Sequence, residues 1–378
     1  MARQRVGGRL SCCKGDPAES GGEAFLPGGI AENIRRTVRA SGRAIARKAF
    51  SAGRSAIARS ASFIGSGQDS STGGTSAAEK GEMCMTLKGS YVALITPFHQ
   101  DGSVNFEKLE ELIEMQIRGG TDGIVVLGTT GESSTMSHEE DEDVVRCALS
   151  AISGRCALIA GSGSNSTETA LMKSKAYDKL GVDALLLITP YYNKANQTGM
   201  VRHFTMVADQ VDAPVIVYNV PGRTGCALSV KSVEALSRHP GIIGIKEASG
   251  DMSFMMNIAH LASKDFAIVS GNDDITLPIM AAGGTGVISV LANVCPEVTY
   301  RMTHAFLEGD ILTARELQLR YLDLIHALFM EVNPIPVKEA MNLMGLNVGP
   351  LRMPLCEMEP EHRQALSAVL HRYGLVKE

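Results

Sequence analysis

Short apolar runs alternate with amphipathic stretches along most of this chain. The runs at 88–98, 124–127, 156–160, 184–188, 214–218, 242–246, 266–270 and 286–289 are rich in Val, Ile, Leu and Ala and end in Gly, Pro, Asn or Ser-containing turns. Near-continuous apolarity is the pattern of strands buried on both faces, as in a parallel sheet. Between them lie segments with apolar residues at helical spacing. Asn105 is placed to cap a helix carrying Leu109, Leu112, Ile113 and Ile117 on one face, ended by Gly119-Gly120. Ser137 precedes an acidic first turn, and Ser166 or Thr167 starts a helix running to Leu180. Further helices are predicted near 199–210, 230–238, 254–262, 275–282 and 298–307. Eight strand–helix units within about 220 residues match the size of an α/β fold of the (β/α)8 TIM barrel type. An open doubly wound sheet competes, weakened by the count and by the lack of G-x-G-x-x-G after the first strand. Segments 312–332, 336–346 and 360–373 predict a C-terminal helical appendage, with Pro334 and Pro336 breaking its first two helices.

Before the barrel the pattern fails. Residues 1–80 carry 13 Lys and Arg against 6 Asp and Glu, whereas the remaining 298 carry 23 against 35. The head is Arg-, Ser- and Ala-rich, and 66–76 is linker-like in composition. This is the signature of an organellar transit peptide, with a retained basic arm as the bland reading. The domains expected are therefore 1–85 transit peptide and linker, 86–310 barrel, and 311–378 helical domain. The acidic body disfavours nucleic acid, and no apolar run is long enough to cross a membrane. None of the eight cysteines forms a C-x-x-C pair, so reduced thiols are expected.

In a (β/α)8 barrel the chemistry sits at the C-terminal ends of the strands. Here those ends carry Gly128-Thr129-Thr130-Gly131, Tyr191-Tyr192, Tyr218, Lys246 and Gly271. A lysine ending an apolar strand loses hydration, which lowers its pKa and frees the amine to attack a carbonyl. The bland alternative is a lysine reaching solvent or pairing with Glu247. An amine, phenols and hydroxyls gathered at one mouth favour Schiff-base chemistry. The nine histidines are scattered, and His203, His239 and His260 read as structural. No motif demands a metal or an organic cofactor.

Residues 88 to about 375 resemble the dihydrodipicolinate synthase family. The motifs are Gly128-Thr-Thr-Gly-Glu-Ser133, Tyr191-Tyr192-Asn193, Tyr218-Asn-Val-Pro-Gly-Arg-Thr-Gly225, Gly244-Ile-Lys-Glu-Ala248 and Gly286-Val-Ile-Ser289. The resemblance implies condensation of pyruvate with L-aspartate 4-semialdehyde, in a homotetramer of lysine biosynthesis. It implies that Lys246 forms an imine with pyruvate and that Tyr218, Thr129 and Tyr192 relay protons, Tyr192 from the neighbouring subunit. Thr130 would hold the pyruvate carboxylate, Arg223 the carboxylate of the semialdehyde, and Ile288 and Gly271 would line the pocket. It also implies a feedback site for L-lysine at Ser133, Ser134, His138, Asn165 and Tyr191. Two positions depart from the family pattern: Asp141 stands where relatives often carry His, and Thr169 where a Glu usually grips the amine, with Glu168 adjacent. Inhibition of altered strength is expected. The head then implies a plastid, with a mitochondrion or the cytoplasm as alternatives. The nearest rivals are N-acetylneuraminate lyase and 2-keto-3-deoxy-sugar aldolases, which share the lysine and tyrosine. A catalytically silent barrel would have lost Lys246, Tyr218 or Thr129, and all three are present. Lys338, in Asn333-Pro-Ile-Pro-Val-Lys338, is expected to be structural.

Overall fold

The structure is a computed structural model and describes residues 85–376. The arginine-rich head read as a transit peptide lies outside the described residues. The chain folds as a closed parallel barrel in which each strand pairs with the next and β1 closes on β8. The strands are β1 Gly89–Ala93, β2 Gly123–Val126, β3 Ala157–Gly161, β4 Ala184–Ile188, β5 Val215–Asn219, β6 Ile242–Glu247, β7 Ala267–Ser270 and β8 Gly286–Ser289. Around them run α1 Phe106–Arg118, α2 His138–Ile152, α3 Thr167–Leu180, α4 Gln197–Ala208, α5 Val230–Ser237, α6 Met252–Ile258, α7 Thr276–Ala281 and α8 Pro296–Leu307. The appendage is α9 Ile311–Arg320, α10 Leu322–Ala327, α11 Ile335–Leu343 and α12 Pro360–Arg372.

Two apolar layers explain the unbroken hydrophobic runs. One set of strand residues, including Val92, Leu185, Val217 and Ile245, packs outward against the helices. The alternate set, including Tyr91, Val125, Leu186, Ile216, Tyr218 and Ile288, fills the barrel. Helix starts follow the capping residues. Asn105 accepts from Lys108 N, Ser137 makes a full capping box with Glu140, and Ser166 rather than Thr167 caps α3.

Two expectations are corrected. The first strand ends at Ala93 rather than continuing to Phe98. Leu94, Ile95 and Phe98 are still buried, but their bonds leave the ladder: Leu94 N still donates to Val125 O, Asn293 Oδ1 accepts from Ile95 N at 3.1 Å, Thr96 Oγ1 donates to Gly131 O at 2.7 Å, and Phe98 N donates to Val348 O at 3.1 Å. The helix expected over 312–332 is two helices that meet at Tyr321, whose ring stacks at 5.1 Å on Tyr373, the residue that follows α12. Among the described residues no helix is long and apolar enough to cross a membrane.

The appendage is anchored to the barrel rather than merely following it. Leu277, Met280, Met302, Ala314 and Leu317 join α7, α8 and α9 in one apolar cluster. On the opposite side of the sequence, Lys338 of α11 reaches the loop after β2. Its Nζ donates to Glu132 Oε1 at 2.6 Å and to Pro350 O at 2.8 Å, over the face of Phe98. Burial pushes the Lys338 ammonium down to about 8, against the pull of Glu132. Removing one partner of such a pair strands a buried charge and costs roughly 3–5 kcal/mol. Lys338→Met is expected to lower the urea midpoint accordingly, and Glu132→Gln with Lys338→Met to recover part of it. A Lys338→Met midpoint equal to that of the wild type contradicts the pair's structural role.

Candidate active site

A bulge in β6 aims Lys246 into the barrel. Val215 pairs with Ile242 but Ile216 pairs with Gly244, so Ile243 is an extra residue in the ladder. Ile242 and Ile245 therefore both pack outward, and Ile243 packs inward. Beyond the bulge the alternation is reset, and Lys246 lies beside inward-facing Tyr218 in register. Without the extra residue Lys246 would face the helices and Glu247 the interior, because successive side chains alternate. As built, Glu247 points away, where Oε2 accepts from Asn219 Nδ2 at 2.8 Å and Oε1 accepts from Ser249 N at 2.6 Å. The bland reading that Lys246 pairs with Glu247 is thereby excluded.

Lys246 is 6% exposed, with Nζ 4.5 Å from the Tyr218 ring centroid. Its stem passes Gly271 so closely that a Cβ there would sit 3.0 Å from Lys246 Cε and 2.5 Å from the Ala248 Cβ. Among the described residues no hydrogen bond or ion pair joins Lys246 to a carboxylate. Burial pushes its ammonium down to about 8; Asp273 pulls upward and Arg223 pushes further down. Burial likewise raises the Tyr218 phenol, opposed by Arg223 and Thr129. Asp273 is a buried acid whose Oδ2 is held by Val290 N at 2.9 Å and Leu291 N at 3.1 Å.

The loop from β2 supplies the hydroxyls. Leu127 (φ 58°) and Glu132 (φ 54°) bracket Gly128–Gly131 in the left-handed region, which costs non-glycine residues about 1–3 kcal/mol each. The appendage holds this shape. Besides Lys338, Arg352 N donates to Glu132 Oε2 at 2.9 Å, and the Arg352 guanidinium grips Glu140 and Thr135 O. Asn333 Nδ2 donates to Thr130 Oγ1 at 2.9 Å, and Asn333 O accepts from Arg223 Nη2 at 3.0 Å. Arg223 itself sits on the single helical turn Pro221–Thr224 after β5. Ile288 is buried in the same interior cluster as Tyr218.

A cavity of about 460 Å³ opens from Thr129, Tyr218 and Arg223 to Ser133, Ser134, His138, Thr169 and Tyr191. It joins Thr129 and Tyr218 to four of the five residues assigned to feedback, while Lys246 and Thr130 are not among its lining residues. Asn165 stands beside it, its carbonyl accepting from Asn193 Nδ2 at 2.9 Å. Tyr192 stands apart from the other candidate catalytic groups. It is 90% exposed, has φ 71° and does not line the cavity.

Four contributors escaped the sequence reading: Asp273, Asn333, Glu132 and Lys173. Lys173 Nζ lies 2.8 Å from buried Asp141 Oδ2. Burial raises the Asp141 carboxyl, and Lys173 and Tyr177 pull it back. Thr169, Lys173 and Tyr177 recur every four residues on α3, a spacing that puts them on one helix face and was available to find Lys173. Among the described residues no group of three His, Cys, Asp or Glu could hold a metal. His203 is buried against Thr167, with burial lowering it to about 4, in keeping with a structural role.

Residues 86–373 match the model of the dihydrodipicolinate synthetase family. A 4-hydroxy-tetrahydrodipicolinate synthase from Thermoanaerobacter sp. (strain X514) is 52% identical over 293 residues, covering 77% of this chain and 98% of the relative. Two solved structures are alike in fold. The chloride-inhibited dihydrodipicolinate synthase of Acinetobacter baumannii, complexed with pyruvate, has a TM-score of 0.75 at 40% identity, covering 77% of this chain and all of the other (100%). The enzyme from Cyanidioschyzon merolae with lysine bound has a TM-score of 0.74 at 39% identity, covering 76% and 99%. With its barrel, its strand-end lysine and its Thr-Thr loop in place, the chain belongs to the dihydrodipicolinate synthetase family.

Proposed function

We propose that this chain is a Schiff-base lyase that condenses pyruvate with L-aspartate 4-semialdehyde to 4-hydroxy-tetrahydrodipicolinate. The observation that carries the reading is a buried amine, lowered to about 8, whose Nζ lies 4.5 Å from the centroid of the buried Tyr218 ring. The neutral Lys246 amine adds to the ketone carbon of pyruvate, and loss of water leaves an iminium. The iminium withdraws electrons from the adjacent methyl carbon, which gives up a proton and becomes an enamine. That carbon attacks the aldehyde, forming the new C–C bond while the aldehyde oxygen takes a proton. Tyr218 and Thr129 are placed to carry these protons. Thr130 receives the keto-acid carboxylate, and Arg223, at the mouth, suits the carboxylate of the semialdehyde through its planar fork. The relatives' names support the synthase over the sugar-aldolase alternative.

Pyruvate followed by borohydride should attach a carboxyethyl group to the peptide holding Lys246 and leave Lys338, engaged with Glu132, unlabelled. Because only the neutral amine attacks, trapping should quicken about tenfold per pH unit below 8 and level off above it. Label on Lys338, or none on Lys246, removes the reading.

Tyr192 completes the relay only if it enters the cavity of another copy. Its exposure and left-handed backbone support a homotetramer in which neighbours exchange this residue. Tyr192→Phe should lower kcat by about 10²-fold while leaving trapping by pyruvate intact. A fully active, monodisperse monomer in sedimentation contradicts the exchange.

L-lysine is the expected effector of the cavity's outer part, by analogy with the lysine-bound Cyanidioschyzon merolae enzyme. In this chain Lys173 already neutralises Asp141, and Thr169 provides no carboxylate for an incoming ammonium. Feedback should therefore be weakened rather than lost. An activity titration with no inhibition at millimolar L-lysine removes this part of the proposal.

A further inference from the structure

Asn333 touches both places at which a carboxylate is expected. It is 5% exposed, 203 residues along the chain from Thr130, and brought to the mouth by the start of the α11 segment. A threonine hydroxyl has one proton and two acceptor sites. Asn333 Nδ2 donates to Thr130 Oγ1, so an acceptor site of the hydroxyl is used and its proton is not taken by any described residue. Asn333 Oδ1 is buried and has no partner among the described residues. The opposite orientation of the amide would satisfy that oxygen with the Thr130 proton. The hydroxyl would then present lone pairs to the site. A carboxylate only accepts hydrogen bonds, so lone pairs there would repel it. Meanwhile Asn333 O holds Arg223 Nη2 at 3.0 Å, so one residue steadies the groups facing both substrates.

We propose that Asn333 is a positioning residue that turns the Thr130 hydroxyl toward the keto acid and thereby sets the affinity for the keto acid's carboxylate. The proposal rests on the Schiff-base reading above. Asn333→Asp puts an acceptor where the N–H donor stood and reverses Thr130. Asn333→Ala removes the donor without adding charge, and carries the same test if the aspartate variant does not fold.

The experiment measures the pyruvate concentration that half-saturates borohydride trapping of Lys246, together with kcat and both KM values. A hydrogen bond to a charged group corresponds to about tenfold or more in affinity. Half-saturation and KM for pyruvate should rise by about that factor in Asn333→Asp and by less in Asn333→Ala. The kcat at saturating pyruvate should stay within about threefold, given that the reacting groups are untouched. In a Thr130→Val background, Asn333→Ala should add less than about twofold, because the coupled group is gone. Wild-type half-saturation in both variants overturns the proposal, as does an undiminished Asn333→Ala effect in the Thr130→Val background. A wild-type protein that traps no pyruvate sinks the Schiff-base reading itself. Trapping that is normal in the wild type and unchanged in the variants sinks only the role of Asn333.

Discussion

Lys246 faces the barrel interior because β6 carries one residue more than its partner, and the chemistry of the mouth depends on that offset. Side chains along a strand alternate between two environments. In this barrel both are apolar, so burial alone does not choose between them. The bulge at Ile243 makes the choice. It puts an amine among Tyr218, Ile288 and Gly271, where hydration is lost and no carboxylate among the described residues is bonded to it in return. It also puts Glu247 on the other side, where Asn219 and Ser249 hold it. An ion pair inside the barrel would have kept the amine protonated.

The two buried lysines show how surroundings divide one side-chain type into two uses. Both are lowered to about 8, mainly by burial. Lys338 spends its donors on Glu132 and Pro350 O and so acts as a brace. Lys246 has Asp273 only as a more distant opposing charge and keeps its nitrogen available. The brace serves the nucleophile indirectly. Glu132 is held in a left-handed conformation at the end of the Thr129–Thr130 loop, and the contacts from Lys338 and Arg352 offset the strain.

Much of this was legible in the amino-acid order, for a definite reason. Parallel strands buried on both faces leave apolar runs with abrupt ends, and β4 and β8 have the predicted limits. The same property explains the overlong first strand, since Leu94–Phe98 is equally apolar but leaves the ladder after Leu94, with Ile95 N going to Asn293 Oδ1 and Phe98 N to Val348 O. Hydrogen-bond register leaves little trace in an apolar run, and Gly244, where a Cβ would lie 2.5 Å from Ala267 O, is the one sequence mark of the irregularity in β6. Asn333 and Glu132 were hidden differently. Their partners lie about 200 positions away in the chain, and only the closed fold brings them together. Lys173 shares the four-residue spacing of Thr169 and Tyr177 on α3 and was within reach of helical periodicity.

The separation of 206 positions between Glu132 and Lys338 has a consequence for the order of events during synthesis. A nascent chain can complete all eight strands while the last helices are still in the ribosome. At that stage the β2 loop lacks its brace, and Glu132 has little to keep it left-handed. Competence for chemistry thus arrives with the tail: the barrel is a vessel first, and its reactive rim sets only after the final segment has docked.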